Sequence, residues 1–403
     1  MKYTQEEVMQ YVEEEDVKFI RMAFCDIFGR QHNVAVMVDE LPRAFSQGIA
    51  FDSSAIPGFG GEVRSDLFLR PDSSTLTELP WRPHTGRVAH MFCNIVYPDG
   101  SPCSADARRI LMDAVESAGK NDYTFSFGTE MEFYLFKLDG NGNFTKEPYD
   151  HAGYMDVAPE DKGENVRREI CLTLEQMGMH PESSHHESGP GQNEIDFRYS
   201  DPLTAAENAI LFRSVVKTIA AQNGLWADFS PRPLPEYDGN GMHINISAKK
   251  GGAELPPTKL IPGLMQHITE MTLFLNPCAN SYERLGRDKA PAYVTWSEQN
   301  RSQLIRVPAA IREYRRLELR SPDAMTNPYL AFALMIHACM DGIQRQLPLP
   351  SAADFNIYQA DASLLKDYRK LPASLPDAIR SASDSAFIRE TLPAAVIDAY
   401  CKL

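Results

Sequence analysis

Two glutamates one residue apart, Glu130 and Glu132, sit in the alternating stretch Phe125 to Phe136. Read with period two, Phe125, Phe127, Met131, Phe133 and Leu135 share one face with Thr129. Ser126, Gly128, Glu130, Glu132 and Tyr134 share the other. That places the two carboxylates one pleat apart, about 7 Å between Cα atoms. In water this is an ordinary solvated face. Partly buried, two like charges so close need a cation between them. Three further segments repeat the pattern. Ile195, Phe197 and Tyr199 alternate with Glu194, Asp196 and Arg198, downstream of Glu187. Met242, Ile244 and Ile246 alternate with His243, Asn245 and Ser247. Leu317 and Leu319 alternate with Arg316, Glu318 and Arg320. If the polar faces converge, one site holds Glu130, Glu132, Glu187, Glu194, Glu318 and His243. Oxygen-rich donors with at most one imidazole suit Mg²⁺ or Mn²⁺ rather than zinc.

The elements around these strands follow from caps, turns and periodicity. Thr4 caps a short acidic helix to about Glu15, and strands at 18–23 and 31–38 flank the turn at 26–30. A second short helix covers 41–47, and Phe51 to Gly61 reads as a Gly/Pro loop carrying Asp52. Strands at 66–69 and 87–95 lead to the turn cluster Tyr97 to Pro102, taken as a boundary between domains 1–100 and 101–403. Helices are expected at 106–117, 164–177, 202–223, 261–275 and 327–344, and Pro-punctuated helices over 349–403. The stretch 276–292 reads as a long, charged, mobile connection. Asp139 to Asn143 is a hairpin turn, because the pattern G-x-x-x-x-G-K is absent and no helix follows at once.

The chain of 403 residues is 43% hydrophobic, enough for a sizeable core, and its net charge of −15 argues against nucleic acid or an anionic membrane as partner. The seven cysteines are scattered and never spaced C-x-x-C, which argues against a disulfide framework or a zinc site and for a reducing cytoplasm. The acidic N-terminus does not read as a signal peptide, and no apolar run is long enough to span a bilayer.

Six stretches, in order, resemble the glutamine synthetase family over nearly the whole chain: FDSSAIPG (51–58), FGTEMEF (127–133), HHESGPGQNEIDFR (185–198), GNGMHINIS (239–247), NRSQLIRVP (300–308) and RRLELRSPDAMTNPYLAFA (315–333). The resemblance implies an α+β fold: a small N-terminal β-grasp domain and a catalytic domain whose antiparallel sheet forms a funnel flanked by helices. It also implies a homo-oligomer of stacked rings, a dodecamer, with each active site shared between neighbours. The implied activity joins the γ-carboxylate of glutamate to ammonia, with ATP as co-substrate and an acyl phosphate as intermediate. Carried over by residue, Glu132, Glu187 and Glu194 hold one Mg²⁺ or Mn²⁺ ion, and Glu130, His243 and Glu318 the other. Asn245, Ser247, Arg306 and Arg316 match nucleotide-contacting positions. Gly239, Arg284, Arg301 and Arg320 match positions near glutamate or the phosphoryl group, with Arg301 catalytic. Asp52 would serve the adjacent subunit's funnel as general base, and 276–292 matches the flap that shields the acyl phosphate from water.

The sequence departs from the family pattern most at that flap. Ammonium-using members carry a glutamate just before the flap's Ala-Pro, whereas Ala290-Pro291 follows Lys289 here, with Asp288 one residue earlier. An organic amine or polyamine therefore stands beside ammonia as acceptor. Asp238 replaces a frequent Asn, Asn245 a second histidine, and Glu313 a lysine near the adenine. Tyr358 lies near the tyrosine that some members adenylylate but lacks the following Asp-Leu-Pro, so that regulation is not expected. A guanidino-kinase-like phosphotransferase would give Asp52 no task, and a catalytically silent metabolite sensor would be expected to lose a metal ligand or Arg301.

Overall fold

The computed structural model describes residues 3–61, 63–82, 85–310 and 315–403. Glu313 therefore lies outside the described residues. Among the described residues the strands form two sheets. The first is built from β1 (Val17–Cys25), β2 (Gln31–Met37), β3 (Ile49–Asp52), β4 (Asp66–Pro71), β5 (Thr77–Glu78) and β6 (Arg87–Val96), in the order β2-β1-β6-β4-β3 with β5 beside β6. Its β1–β6 pairing is parallel and its other pairings antiparallel. Helix α1 (Gln5–Glu14) packs on it, closed at its start by a reciprocal box in which Thr4 and Glu7 bond each other's backbone N–H. The β1–β2 turn is fixed by Asp26, whose Oδ1 accepts from Phe28 N and Arg30 N, with Gly29 at φ 79° supplying the left-handed step. Helix α2 (Leu41–Ser46) leads into β3, which reaches Asp52; the expected loop thus begins as a strand and turns only at 53–55.

The second sheet comprises β7 (Tyr123–Leu138), β8 (Phe144–Pro148), β9 (Pro181–His186), β10 (Gln192–Phe197), β11 (Leu225–Asp228), β12 (Met242–Lys250), β13 (Ala253–Glu254), β14 (Trp296–Glu298), β15 (Ile305–Val307) and β16 (Leu317–Leu319). Its main path runs β14-β15-β16-β12-β7-β10-β9, antiparallel except for β14–β15. The 16-residue β7 is its spine, rich in aromatic residues that favour the pleated, packed surface. Its apolar face lies against α3 (Ala107–Gly119), α5 (Pro202–Gln222) and α8 (Pro328–Gln344), while α4 (Glu164–Gln176) packs on α5. Phe127 stacks on Phe332 at 4.3 Å between centroids, and Phe133 meets Phe212 edge-on at 5.9 Å. Each such fully buried ring contributes roughly 2–3 kcal/mol of transfer free energy. Helix α6 (Ile261–Leu275) packs closely on α8.

The two sheets are joined through buried polar groups. The Arg108 guanidinium on α3 donates to Asp72 and Asn94 of the first sheet's region and to Glu207 on α5. The carbonyl of Ile27 accepts from both Asn327 Nδ2 (2.9 Å) and Tyr400 Oη (3.0 Å), which ties the β1–β2 turn to the C-terminal helices. The stretch 276–292 is anchored rather than free-running. It holds the helical turn α7 (Ser281–Arg284), and Asn276, Ser281, Arg284 and Ala290 are buried. No helix among the described residues is long and apolar enough to cross a membrane.

Candidate active site

The four strands singled out by alternation are consecutive neighbours, β16-β12-β7-β10. Their register sets the site. His243 stands opposite Glu130, Glu194 opposite Glu132, Asp196 opposite Glu130, and Asn245 opposite Glu318. His243 Nδ1 is 3.4 Å from Glu130 Oε2 and 3.7 Å from Glu318 Oε1. On the other side, His185 Nε2 is 3.2 Å from Glu187 Oε1 and 3.6 Å from Glu194 Oε1. Two sets of potential ligand atoms result, each within 4.8 Å of one another: Glu130, Glu194 and His243, and His185, Glu187 and Glu194. Glu132 is beside them, accepting from Gly241 N (2.8 Å) and Gln192 Nε2 (3.2 Å). Glu318, fully buried, accepts from Arg306 Nη1 (2.6 Å) and Arg320 Nε (3.0 Å).

The electrostatics of this cluster call for a cation. Burial disfavours the charge of Glu130, yet the hydrogen bond and charge of His243, with the Asn245 amide and the Arg316 charge, together outweigh this and hold its carboxyl down to about 2. Burial also opposes the charge of Glu187, but His185 and the Lys289 ammonium keep its carboxyl below the ordinary value. Glu194 goes the other way, pushed well up by burial and then by Glu132, Asp196, Glu130 and Glu187. Asp196 is raised to about 6, by burial and then by Glu130. Its Oδ1 is buried without a hydrogen-bond partner among the described residues. A divalent ion would relieve that repulsion, and the donor set, four or more carboxylates with two imidazoles, fits a hard ion such as Mg²⁺ or Mn²⁺. The second imidazole, His185, is absent from the sequence-derived list.

Two cavities meet at Glu130. One, of about 310 Å³, is lined by Glu130, Glu132, Glu187, Glu194 and His243 together with Gly239, Arg284, Arg301, Arg320, Asp238 and Lys289. Gly239 is required there, because a Cβ would stand 2.3 Å from the Pro231 carbonyl oxygen and 3.0 Å from Arg284 Cγ. Arg284 is buried, donating to the carbonyls of Ser321 (2.8 Å) and Arg320 (3.4 Å). The other cavity, of about 690 Å³, is lined by Asn245, Ser247, Arg315, Arg316, Arg198 and Tyr199, with Glu130. Arg316 Nε donates to Asn245 Oδ1 (2.8 Å). Arg306 does not line this second cavity; it lies against Glu318. Asp52 lines neither cavity of its own chain. It is exposed, and Ser54, by its hydroxyl (2.7 Å) and its backbone N–H (3.0 Å), holds its carboxyl below the usual range.

Lys289 faces the site. Its Nζ is 2.6 Å from Ser188 Oγ, 3.7 Å from Glu187 Oε2 and 4.8 Å from the centroid of the Tyr154 ring. Asp288 is engaged elsewhere, with Arg232 Nη1 2.9 Å from its Oδ2.

Comparison with known proteins fits this architecture. Residues 104–403 match the family description "Glutamine synthetase, catalytic domain", and residues 16–98 match "Glutamine synthetase, beta-Grasp domain". The chain belongs to the glutamine synthetase family. Curated relatives named glutamine synthetase include that of Methanosarcina mazei, 44% identical over 98% of this chain and 92% of its own. That of Clostridium saccharobutylicum is 41% identical over 97% and 92%. Among solved structures, GmaS in complex with ADP superposes with a TM-score of 0.88 at 27% identity, covering 98% of this chain and 94% of its own. The Plasmodium falciparum glutamine synthetase superposes with a TM-score of 0.86 at 22% identity over 100% and 96%, a likeness of fold. The glutamine synthetase family thus accounts for both sheets and for the α+β class.

Proposed function

We propose that this chain is an ATP-dependent ligase that joins the γ-carboxylate of L-glutamate to ammonia through a γ-glutamyl phosphate. The observation that carries this is the meeting of two cavities at one carboxylate, Glu130, beside a carboxylate–imidazole cluster. A polyphosphate in the Asn245/Ser247/Arg316 cavity and an acid in the Gly239/Arg284/Arg320 cavity would approach each other there.

Two divalent ions supply charge neutralisation and polarisation of the transferring phosphoryl group. Glu132, Glu187 and Glu194 are proposed to hold one, with His185 beside them, and Glu130, His243 and Glu318 the other. Arg301 and Arg320 orient the acid and the transferring group by charge-assisted hydrogen bonds. Arg306 reaches the phosphates if it leaves Glu318. The γ-carboxylate oxygen attacks the terminal phosphorus, ADP leaves, and the nitrogen lone pair then attacks the acyl carbon. The C–O bond to phosphate breaks with its electron pair, and a proton from nitrogen passes to Asp52 of a neighbouring subunit. Asp52 is exposed and lies outside its own cavity, which supports a stacked-ring homo-oligomer in which it serves another chain. A cytoplasmic setting suits this chemistry.

The test is ADP release with glutamate, Mg²⁺ and ATP, with and without ammonium, alongside hydroxylamine, which traps an activated acyl group. Ammonium-dependent turnover supports the reading, and failure of both nucleophiles refutes it. Asp52→Ala is expected to lower kcat by about 10²- to 10⁴-fold, the range of general-base removal. The position of Lys289 favours a second reading, an organic amine as acceptor; turnover with a panel of amines but not with ammonium would select it.

A further inference from the structure

We infer that the cavity accepts a second class of nitrogen donor, a primary amine that carries a carboxylate, and that Lys289, together with Arg301 and Arg287 of the same cavity lining, recognises that carboxylate at the mouth. The inference rests on the ligase reading above and adds the chemistry of the acceptor's tail.

Charge changes sign along the cavity. Its floor is built of the carboxylates Glu130, Glu187 and Glu194. Its mouth is formed by the segment after α7, which contributes Arg287, Asp288 and Lys289. Asp288 is matched by Arg232 at 2.9 Å, so its negative charge does not offset its two neighbours. The Arg287 and Arg301 side chains line the cavity with no ion pair or hydrogen bond among the described residues. Lys289 is half exposed, its ammonium 3.7 Å from the nearest carboxylate oxygen, that of Glu187. The backbone places it firmly, since Arg320 Nη1 donates to the Lys289 carbonyl at 3.3 Å.

A third cavity, of about 410 Å³, shares Lys289 and Arg301 with the first. Its wall includes Asn300, the exposed Tyr358, whose phenol meets the Arg320 guanidinium, and one carboxylate, Asp354, which accepts from Ser297 Oγ. An acceptor longer than ammonia would lay its tail there. A cationic tail would meet Lys289 and Arg301 with like charge. An uncharged tail would leave them merely solvated. A carboxylate would receive charge-assisted hydrogen bonds from them, with Asn300 as a neutral donor. The chemistry is otherwise unchanged. The amine nitrogen bonds to the acyl carbon, the acyl–phosphate C–O bond breaks with its electrons on phosphate, and the proton released from nitrogen passes to Asp52 of a neighbouring subunit as with ammonia.

The test uses the full chain with ATP, Mg²⁺ and glutamate, reading phosphate release and product mass. γ-Aminobutyrate and n-propylamine differ only by the carboxylate and have similar amine basicity. The expected kcat/KM ratio is about tenfold in favour of γ-aminobutyrate, the scale of one charge-assisted hydrogen bond. Lys289→Ala should bring the ratio toward one, and Lys289→Glu should favour 1,3-diaminopropane instead. A wild-type ratio at or below one, or a ratio unchanged in both Lys289→Ala and Arg287→Ala, overturns the inference. So does a Lys289→Ala variant whose KM for glutamate rises with hydroxylamine as acceptor while the amine ratio stays fixed, because the cations then serve the acid. Hydroxamate formation is the independent control. Its presence with a ratio at or below one refutes only the acceptor inference, whereas its absence together with no turnover on ammonium refutes the ligase reading itself.

Discussion

Glu194 lies directly opposite Glu132 across β10 and β7, two carboxylates paired in register inside a buried wall. Like charges so placed destabilise a sheet, and here they are retained at the bottom of a cavity. Glu194→Gln is therefore expected to raise the melting temperature at pH 8 in the absence of divalent ions by roughly 1–3 °C. The same variant should bind Mn²⁺ at least about tenfold more weakly, one lost carboxylate ligand being worth more than 1.4 kcal/mol. Scanning fluorimetry with and without MnCl₂ reads both effects. A variant neither more stable without metal nor less stabilised by it would remove Glu194 from the ligand set.

Metal binding should also release protons. Burial and neighbouring carboxylates raise Glu194 well above the usual carboxylate range and Asp196 to about 6, so the metal-free cluster retains protons that a cation displaces. The sign follows from linkage: the association constant rises with pH while Glu194 and Asp196 remain protonated in the free protein, and levels off above their pKa values. Calorimetry at pH 5.5, 6.5 and 7.5, in buffers of different ionisation heat, measures the count directly. Release that does not diminish as pH rises contradicts the assignment.

The strands carrying Glu130, Glu132, Glu194, His243 and Glu318 are legible in the sequence because each pairs an apolar face with a polar one, and period two fixes which residues share a face. Their register is not legible, since the hydrogen-bonded partner of Glu130 depends on contacts more than 100 residues away. His185 escapes notice for a different reason. It lies in β9, an edge strand of sequence PESSHH with no apolar face to announce it. Its one signal is that it falls two residues before Glu187, on the same side of an extended chain. The stretch 276–292 reads as mobile because Glu283, Arg284, Arg287, Asp288 and Lys289 crowd it with charge. In the fold three of those charges find partners: Arg284 in the Ser321 and Arg320 carbonyls, Asp288 in Arg232, and Lys289 in Ser188.

The helices behind the site tolerate no added atom at their crossing. A Cβ on Gly263 of α6 would stand 1.9 Å from the Ala338 carbonyl oxygen of α8 and 3.0 Å from Gly342 N. Gly263→Ala should therefore separate α6 from α8 and cost about 3 kcal/mol, the upper end of overpacking. Urea titration reads this as a lower midpoint at unchanged slope. A loss under about 0.5 kcal/mol, the scale of a surface substitution, would show that the helices slide apart freely.

The C-terminal helices are held by a charge relationship that is sensitive to pH. His267 on α6 places Nε2 2.8 Å from Asp341 Oδ2 and Nδ1 3.3 Å from Glu270 Oε2, while its ring stacks on Phe387 at 3.9 Å. Burial opposes its charge, but the hydrogen bonds to Glu270 and Asp341 prevail and raise its pKa above 6.5. Burial likewise opposes the charge of Glu270, and His267 and Ser385 prevail and lower it. The raised histidine contributes stability that is complete below pH 6.5 and is lost as pH climbs through its folded pKa. The lowered glutamate contributes stability that is present above pH 4.5 and is lost as pH falls through its folded pKa. Stability from this cluster therefore peaks between the two. Glu270 also accepts from Ser385 Oγ at 2.6 Å, the residue that caps the helix Ala386–Thr391, so this helix should loosen first. Hydrogen exchange over 386–391 is expected to quicken from pH 6 to pH 9 beyond the intrinsic rise. The melting temperature of the native protein should fall more over that interval than that of His267→Gln. Equal falls in the two proteins would mean that the imidazole is uncharged at pH 6 and that its stacking on Phe387 alone holds the helix.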